Sequence, residues 1–193
     1  MNADKLNVLG IPGSVRKGSY NRLLLENAFM MLPQGSHAEI FDISRIPLFN
    51  QDMEKDPPED VKLLKEKVRA SDVILISTPE YNHSYSGVLK NALDWVSRPP
   101  ADNPFVSKVV AVFSASTGNV GGSRAQEHLR VVLEALGAYV IPRPEVILTN
   151  ADKKFNPEGK LIDTVAVELT KRLIEEAVRL AIAIRENPVI QVF

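Results

Sequence analysis

Short apolar runs rich in valine and isoleucine alternate along the chain with longer stretches whose apolar positions recur every three or four residues. The runs are Leu6–Ile11, Ala38–Ile43, Val73–Ser77, Val109–Phe113, and Tyr139–Ile141 with Val146–Leu148. Runs this short and continuous are buried on both faces, as in a parallel sheet covered by helices. Between them, Leu24, Leu25, Ala28, Phe29 and Leu32 share one face of a predicted helix over 20–32. Val61, Leu64 and Val68 do so over 59–70, and Val88, Leu89, Ala92, Leu93 and Val96 over 87–97. Ala125, Leu129, Val132, Leu133 and Leu136 line a helix over 123–136. A last helix, about 161–186, carries Val165, Leu169, Leu173, Ala177, Val178 and Ala181 and ends at Asn187-Pro188. Strand and helix alternate throughout, which predicts one α/β domain over residues 1–193 with right-handed crossovers.

Five strands favour a flavodoxin-like, doubly wound parallel sheet in the order 2-1-3-4-5, with helices on both faces, over a six-stranded dinucleotide fold. Ligands of such sheets bind beyond the carboxyl ends of the strands, where the strand order reverses. The loops after strands 1, 3 and 4 are therefore the candidate site: GSVRKGSYN, TPEYNHSYSG and SASTGNVGGSR. In the first, Gly13 and Gly18 have Walker spacing, but Ser19 stands where the triphosphate-binding lysine belongs. Gly10 and Gly13 do not make the dinucleotide G-x-G, and no acidic residue follows strand 1 to hold Mg²⁺. The loop is instead dense in donors. Ser14, Ser19 and Asn21 offer side chains, Arg16 a guanidinium, and the next helix its free N–H groups. That set suits one phosphomonoester dianion. The same residues also suit an ordinary strand-to-helix turn with a serine cap.

Composition narrows the partners. The chain has 193 residues, 45% hydrophobic and 24% charged, with a formal net charge of -1. That balance argues against a nucleic-acid binder and against a strongly acidic electron carrier. Cysteine is absent and the three histidines are far apart, so no metal site, disulfide framework or thiol nucleophile is expected. No apolar run approaches the ~20 residues of a membrane span, and no signal-like segment opens the chain, which predicts a cytoplasmic protein without membrane partners.

Three motifs together resemble the NADPH-dependent FMN reductases, flavodoxin-like enzymes that include chromate, quinone and azo-dye reductases. They are G-S-x-R-x-x-S-x-N at 13–21, P-E-Y-N-x-S with G-V-L-K-N-A-L-D-W at 79–95, and G-N-V-G-G-S-R-A with a following H-L-R at 118–130. The resemblance implies FMN as cofactor and NADPH or NADH as electron donor. It places the FMN phosphate on Ser14, Arg16, Ser19 and Asn21, with Tyr20 also among the cofactor-binding residues. It runs Pro79, Glu80, Tyr81 and Asn82 beside the flavin ring, much of it through backbone groups, and counts His83 after them as cofactor-binding. It sets the third loop, from Ser114 to Gly118, on the other side. It implies a homodimer or homotetramer, with a dimer contact on the helix carrying Leu89, Leu93 and Trp95. It also leaves Arg124, His128 and Arg130 as candidates for a subunit interface near the substrate entrance. Glu127 stands where some members carry an aromatic residue.

The flavin supplies the redox chemistry in such enzymes, so no catalytic side chain is assigned. The expected activity is electron transfer from a nicotinamide through FMN to a small-molecule acceptor: a quinone, an azo compound, a free flavin or a metal oxyanion such as chromate. The competing reading is an FMN-binding electron carrier or flavin sensor that does not turn over nicotinamide. A nucleotide hydrolase is disfavoured by the missing Walker lysine.

Overall fold

The computed structural model describes residues 5–187. A parallel sheet forms its centre. Strands β1 (Asn7–Pro12), β2 (His37–Ile40), β3 (Val73–Thr78) and β6 (Val109–Ala115) carry the predicted apolar runs. The outer strand is in two pieces, β7 (Tyr139–Val140) and β8 (Val146–Leu148). The order is β2-β1-β3-β6-β7, with β8 also on β6, so the predicted flavodoxin-like arrangement holds. A separate hairpin, β4 (Glu80–Tyr81) and β5 (Ser84–Tyr85), rises from the end of β3.

Every residue of β3 and β6 is buried, because helices cover both faces. On one side, α1 (Tyr20–Phe29) and α5 (Thr164–Glu186) pack Leu24, Leu25, Leu173 and Ala177 against the sheet. On the other, α2 (Glu59–Ala70), α3 (Gly87–Val96) and α4 (Ser123–Ala135) contribute Leu64, Leu93, Trp95 and Leu133. Helix starts follow from local chemistry. Ser19 and Ser86 accept N–H bonds from Arg22 and Leu89, and Asp163 accepts one from Ala166 at 2.8 Å. α2 has acids in its first turn and bases in its last, which suits the helix dipole. α1 stops at Phe29 rather than Leu32, and α5 starts at Thr164 rather than 161, because Asp163 takes the cap. α5 ends before Asn187 as expected; Pro188 lies outside the described residues.

Two contacts fix what surrounds the site. At Gly10 a Cβ would lie 2.7 Å from Phe29 Cζ, so the missing side chain lets the end of α1 close on β1. The long polar segment 44–58 is strapped to α3. Asn91 Oδ1 accepts from Phe49 N–H at 2.8 Å, while Asn91 Nδ2 and Trp95 Nε1 both donate to Pro47 O at 2.8 Å. The Phe49 ring meets Trp95 edge-on at 5.0 Å. Leu89, Leu93 and Trp95 are accordingly interior residues of this chain. Their side chains pack against the sheet and the strap, which leaves the other face of α3 for the dimer contact expected on this helix.

Candidate functional site

The loops after β1, β3 and β6 meet over a pocket of about 240 Å³. It is lined by Ser14, Arg16, Ser19, Tyr20 and Asn21 from the first, Pro79, Glu80 and Tyr81 from the second, and Ala115, Ser116 and Thr117 from the third. Larger hollows of about 880 and 700 Å³ are lined by other segments. The carboxyl-end pocket is therefore singled out by its chemistry rather than its size.

The first loop is held from below. Gly13 N–H donates to Ser77 O at 2.7 Å, and Ser86 Oγ donates to Gly13 O at 2.5 Å. Ser19 is buried as the cap of α1, which aims that helix's N–H groups at the pocket. Arg16 is exposed, with Nη2 donating to Gly18 O at 2.8 Å and its guanidinium 5.8 Å from the Tyr20 ring centre. No ion pair engages Arg16 among the described residues, so its charge is available to a ligand.

Glu80 is the one carboxylate among the lining residues, and its charge is taken up by the start of α4. Its Oε2 accepts from the N–H groups of Arg124 and Ala125 at 3.2 and 3.4 Å, and its Oε1 accepts from Arg124 Nη1 at 3.0 Å. α4 begins at Gly122 with φ 94 and no side-chain cap of its own. Glu80 supplies that cap from a distant loop, with its side chain only 11% exposed. The floor thus presents a guanidinium, hydroxyls and a helix N-terminus with no opposing acid. This fits an anionic phosphate.

A family model for NADPH-dependent FMN reductases matches residues 6–153. The chain belongs to that family. It is an oxidoreductase, with FMN and a reduced nicotinamide as its cofactors. It is 44% identical over 174 residues to an NAD(P)H-dependent FMN reductase of Pseudomonas aeruginosa, covering 90% of this chain and 94% of that one. It is 38% identical over 165 residues to the quinone reductase of Escherichia coli, covering 83% and 87%. The solved structure of the flavoenzyme NAD(P)H:(acceptor) oxidoreductase FerB from Paracoccus denitrificans superposes with a TM-score of 0.85 at 30% identity, over 92% of this chain and 98% of that one.

Several residues expected at the flavin of this FMN reductase chain are placed differently. Asn21 lines the pocket but is only 3% exposed. Its Oδ1 accepts from Ser77 Oγ at 2.8 Å and Ala115 N–H at 2.9 Å, and its Nδ2 donates to Ala115 O at 2.9 Å. One amide proton is left over, so Asn21 chiefly ties the loop to β3 and β6. Ser114 does not line the pocket. β6 runs two residues beyond the predicted Phe113, so Ser114 is a fully buried strand residue whose Oγ accepts from Gln126 Nε2 at 2.9 Å. Gly118 is also outside the lining, its N–H given to Ser116 Oγ at 3.1 Å. Ala115, Ser116 and Thr117 take their place.

Asn82 and His83 form the hairpin tip, with φ of 49 and 64, and do not line the pocket. Left-handed φ at both central residues is the requirement of a two-residue hairpin turn whose twist matches its strands. The tip holds Tyr81 57% exposed at the pocket edge. Tyr85, across from Glu80, has its phenol pushed up to about 12 by burial, with the charge of Asp94 adding to it, so it stays a neutral hydroxyl.

The α4 candidates divide in the same way. Arg124 pairs with Glu80, and His128 Nδ1 lies 3.0 Å from Ser84 Oγ, so both brace the hairpin. Arg130 turns inward and donates from Nη1 to Ile141 O at 2.8 Å; burial lowers its pKa. It is half-buried within this chain. The sequence reading missed the brace made by Glu80. Its signal is the glycine pair before Ser123, which leaves α4 without a local cap.

Proposed function

We propose that the protein passes electrons from NADPH or NADH through FMN to a soluble quinone, with azo compounds, free flavins and metal oxyanions such as chromate as further acceptors. One domain carries the whole site. The observation that carries this reading is the phosphate-sized donor set on the first loop, with no ion pair to Arg16 among the described residues and Glu80 engaged by Arg124. Arg16, the hydroxyls of Ser14 and Ser19 and the start of α1 would hold the phosphate. Pro79, Glu80 and Tyr81 would border the ring on one side, and Ala115 to Thr117 on the other. FMN held there would supply the redox chemistry, taking up two electrons as hydride from the nicotinamide and passing them on to the acceptor. The chain's own part is binding and orientation: the Glu80–Arg124 brace holds the hairpin, and Asn21 holds the loop against both central strands. The quinone assignment takes support from the 38% identical quinone reductase of Escherichia coli and from a 34% identical 2-hydroxy-1,4-benzoquinone reductase of a Burkholderia species.

The protein works as a homodimer in this reading, or as a homotetramer built from such pairs, in the cytoplasm. No described helix is long and apolar enough to cross a membrane. The support for pairing is apolar exposure on the strap and on α3. Leu48 on the strap is 85% exposed, and Val88 lies one helical turn before the Asn91 that holds the strap. These two residues, not Leu89, Leu93 and Trp95, would meet the second copy. Sedimentation of Leu48→Asp should show a shift toward monomer; an unchanged assembly would remove this surface from consideration.

The test of the cofactor assignment is Arg16→Ala. FMN affinity should fall by about 1.5–3 kcal/mol, the range for a hydrogen bond to a charged group. Unchanged affinity would show that the phosphate sits elsewhere. Steady NAD(P)H oxidation with a quinone separates the reductase from a flavin carrier, and a flavin-loaded protein without turnover would favour the carrier. The near-neutral chain, at net charge -1, already lacks the acidity that a docking electron carrier uses.

A further inference from the structure

The Arg16 guanidinium is tied to its own loop by one hydrogen bond, from Nη2 to Gly18 O. Its other described contact is with the Tyr20 ring, whose centre lies 5.8 Å away, within cation–π range. That ring has a second neighbour. Phe155 stacks on Tyr20 with ring centres 5.8 Å apart and planes 21° from parallel. Contacts therefore pass from the pocket-lining Arg16 through Tyr20, which also lines the pocket, to Phe155, which does not. Phe155 belongs to none of the three motifs read in the sequence.

Phe155 is itself held in place. The chain turns back over Asn156–Gly159, where Gly159 N–H donates to Asn156 O and Lys160 N–H to Asn156 Oδ1. Phe155 and Leu161 then oppose each other as an antiparallel bridge, and Leu161 is buried in the core. Buried Asn27 of α1 pins the turn. Its Oδ1 accepts from Leu161 N–H at 2.9 Å, and its Nδ2 donates to Gly159 O at 2.8 Å. Tyr20 is the first residue of the same helix. Both rings are thus referenced to α1, one directly and one through Asn27.

We propose that Phe155 is a positioning residue for the flavin phosphate: its face fixes the plane of Tyr20, and Tyr20 holds the Arg16 guanidinium at the pocket before a ligand enters. A long exposed arginine otherwise gives up rotamer freedom when it grips an anion, and a side chain already in place gives up less. Phe155 acts without touching the ligand. The inference rests on Arg16 holding the phosphate.

The test titrates full-length, flavin-free protein with FMN and with riboflavin, which has the same ring but no phosphate, by quenching of flavin fluorescence. Phe155→Ala should raise the Kd for FMN about two- to fivefold, the size of an exposed cation–π contact. It should leave the Kd for riboflavin at the parental value. In an Arg16→Ala background the same change should raise the Kd for FMN no further. Phe155→Tyr keeps the ring and should retain FMN affinity. If Phe155→Ala folds poorly by circular dichroism, Phe155→Leu, with apolar bulk but no ring, takes its place in each comparison. An equal loss for both flavins, a loss that persists beside Arg16→Ala, or no loss at all overturns the proposal. Failure of the phosphate assignment reads differently: Arg16→Ala alone would bind FMN like the parent, and the proposal would fall with it.

Discussion

Replacing Asn21 with alanine separates framing from ligand binding at the first loop. The side chain is buried and makes three hydrogen bonds of 2.8–2.9 Å, to the Ser77 hydroxyl and to both backbone groups of Ala115. Alanine leaves those partners behind. The Ser77 hydroxyl can rotate, and the Ala115 carbonyl borders the pocket, where water can reach it. The Ala115 N–H keeps no such option and bears the full cost of an unsatisfied buried donor, about 1–3 kcal/mol. With a smaller loss at the other two groups, Asn21→Ala should destabilise the flavin-free protein by about 2–4 kcal/mol. For a chain of this length that lowers the thermal midpoint by about 4–16 °C. The assay is unfolding of flavin-free protein followed by circular dichroism, with Arg16→Ala measured beside it. Arg16 is exposed and touches only Gly18 O and the Tyr20 ring, so its variant should unfold with the parent. If Asn21→Ala were as stable as the parent without flavin and lost only FMN affinity, the framing argument would be wrong and Asn21 would be a ligand-binding residue.

Three further outcomes follow from the same geometry. Glu80→Ala should lower stability by about 1–2 kcal/mol through loss of the α4 cap and weaken FMN binding, with Glu80→Gln recovering part of both; an unchanged urea midpoint would refute the cap. At Gly122→Ala, a side chain at φ 94 would sit 2.6 Å from Ser114 Cβ, so a loss of about 2 kcal/mol or more is expected in equilibrium unfolding. Asp163 caps α5, and the Ala166 N–H holds its carboxyl below the usual carboxylate range, with Lys154 assisting. Its native pKa is depressed, so its contribution is present at neutral pH and is lost as pH falls from the ordinary carboxylate range through that lower value. Asp163→Asn, which keeps the acceptor, should flatten that part of the acid limb below about pH 5.

The sheet was legible because β1, β3 and β6 are buried on both faces and so read as unbroken apolar runs. Helix positions were legible because their apolar residues keep one face, and α2 was placed to the residue. What the sequence concealed depends on contacts between distant segments. Asn21 and Ser19 are both polar residues at a helix start, and only the position of Ala115, 94 residues away, shows that one is a tie and the other a cap. Glu80 reads as a solvated acid until α4 is seen to begin without a cap. The hairpin was hidden because Asn82-His83 lacks the glycine that usually marks such a turn. Leu89, Leu93 and Trp95 read equally well as core or as interface. The strap that decides between them is made by Asn91 and by backbone atoms of Pro47 and Phe49.

The division of the outer strand matters for how the protein behaves in a crowded solution. β7 pairs with β6 at two positions and β8 at three, with Pro142 and Pro144 in the gap between them. Proline offers no N–H, and neither piece is long enough to present a continuous row of free backbone groups. A second sheet approaching this side finds no ladder to extend, so this edge of the sheet is blunted against the strand pairing by which open sheets polymerise.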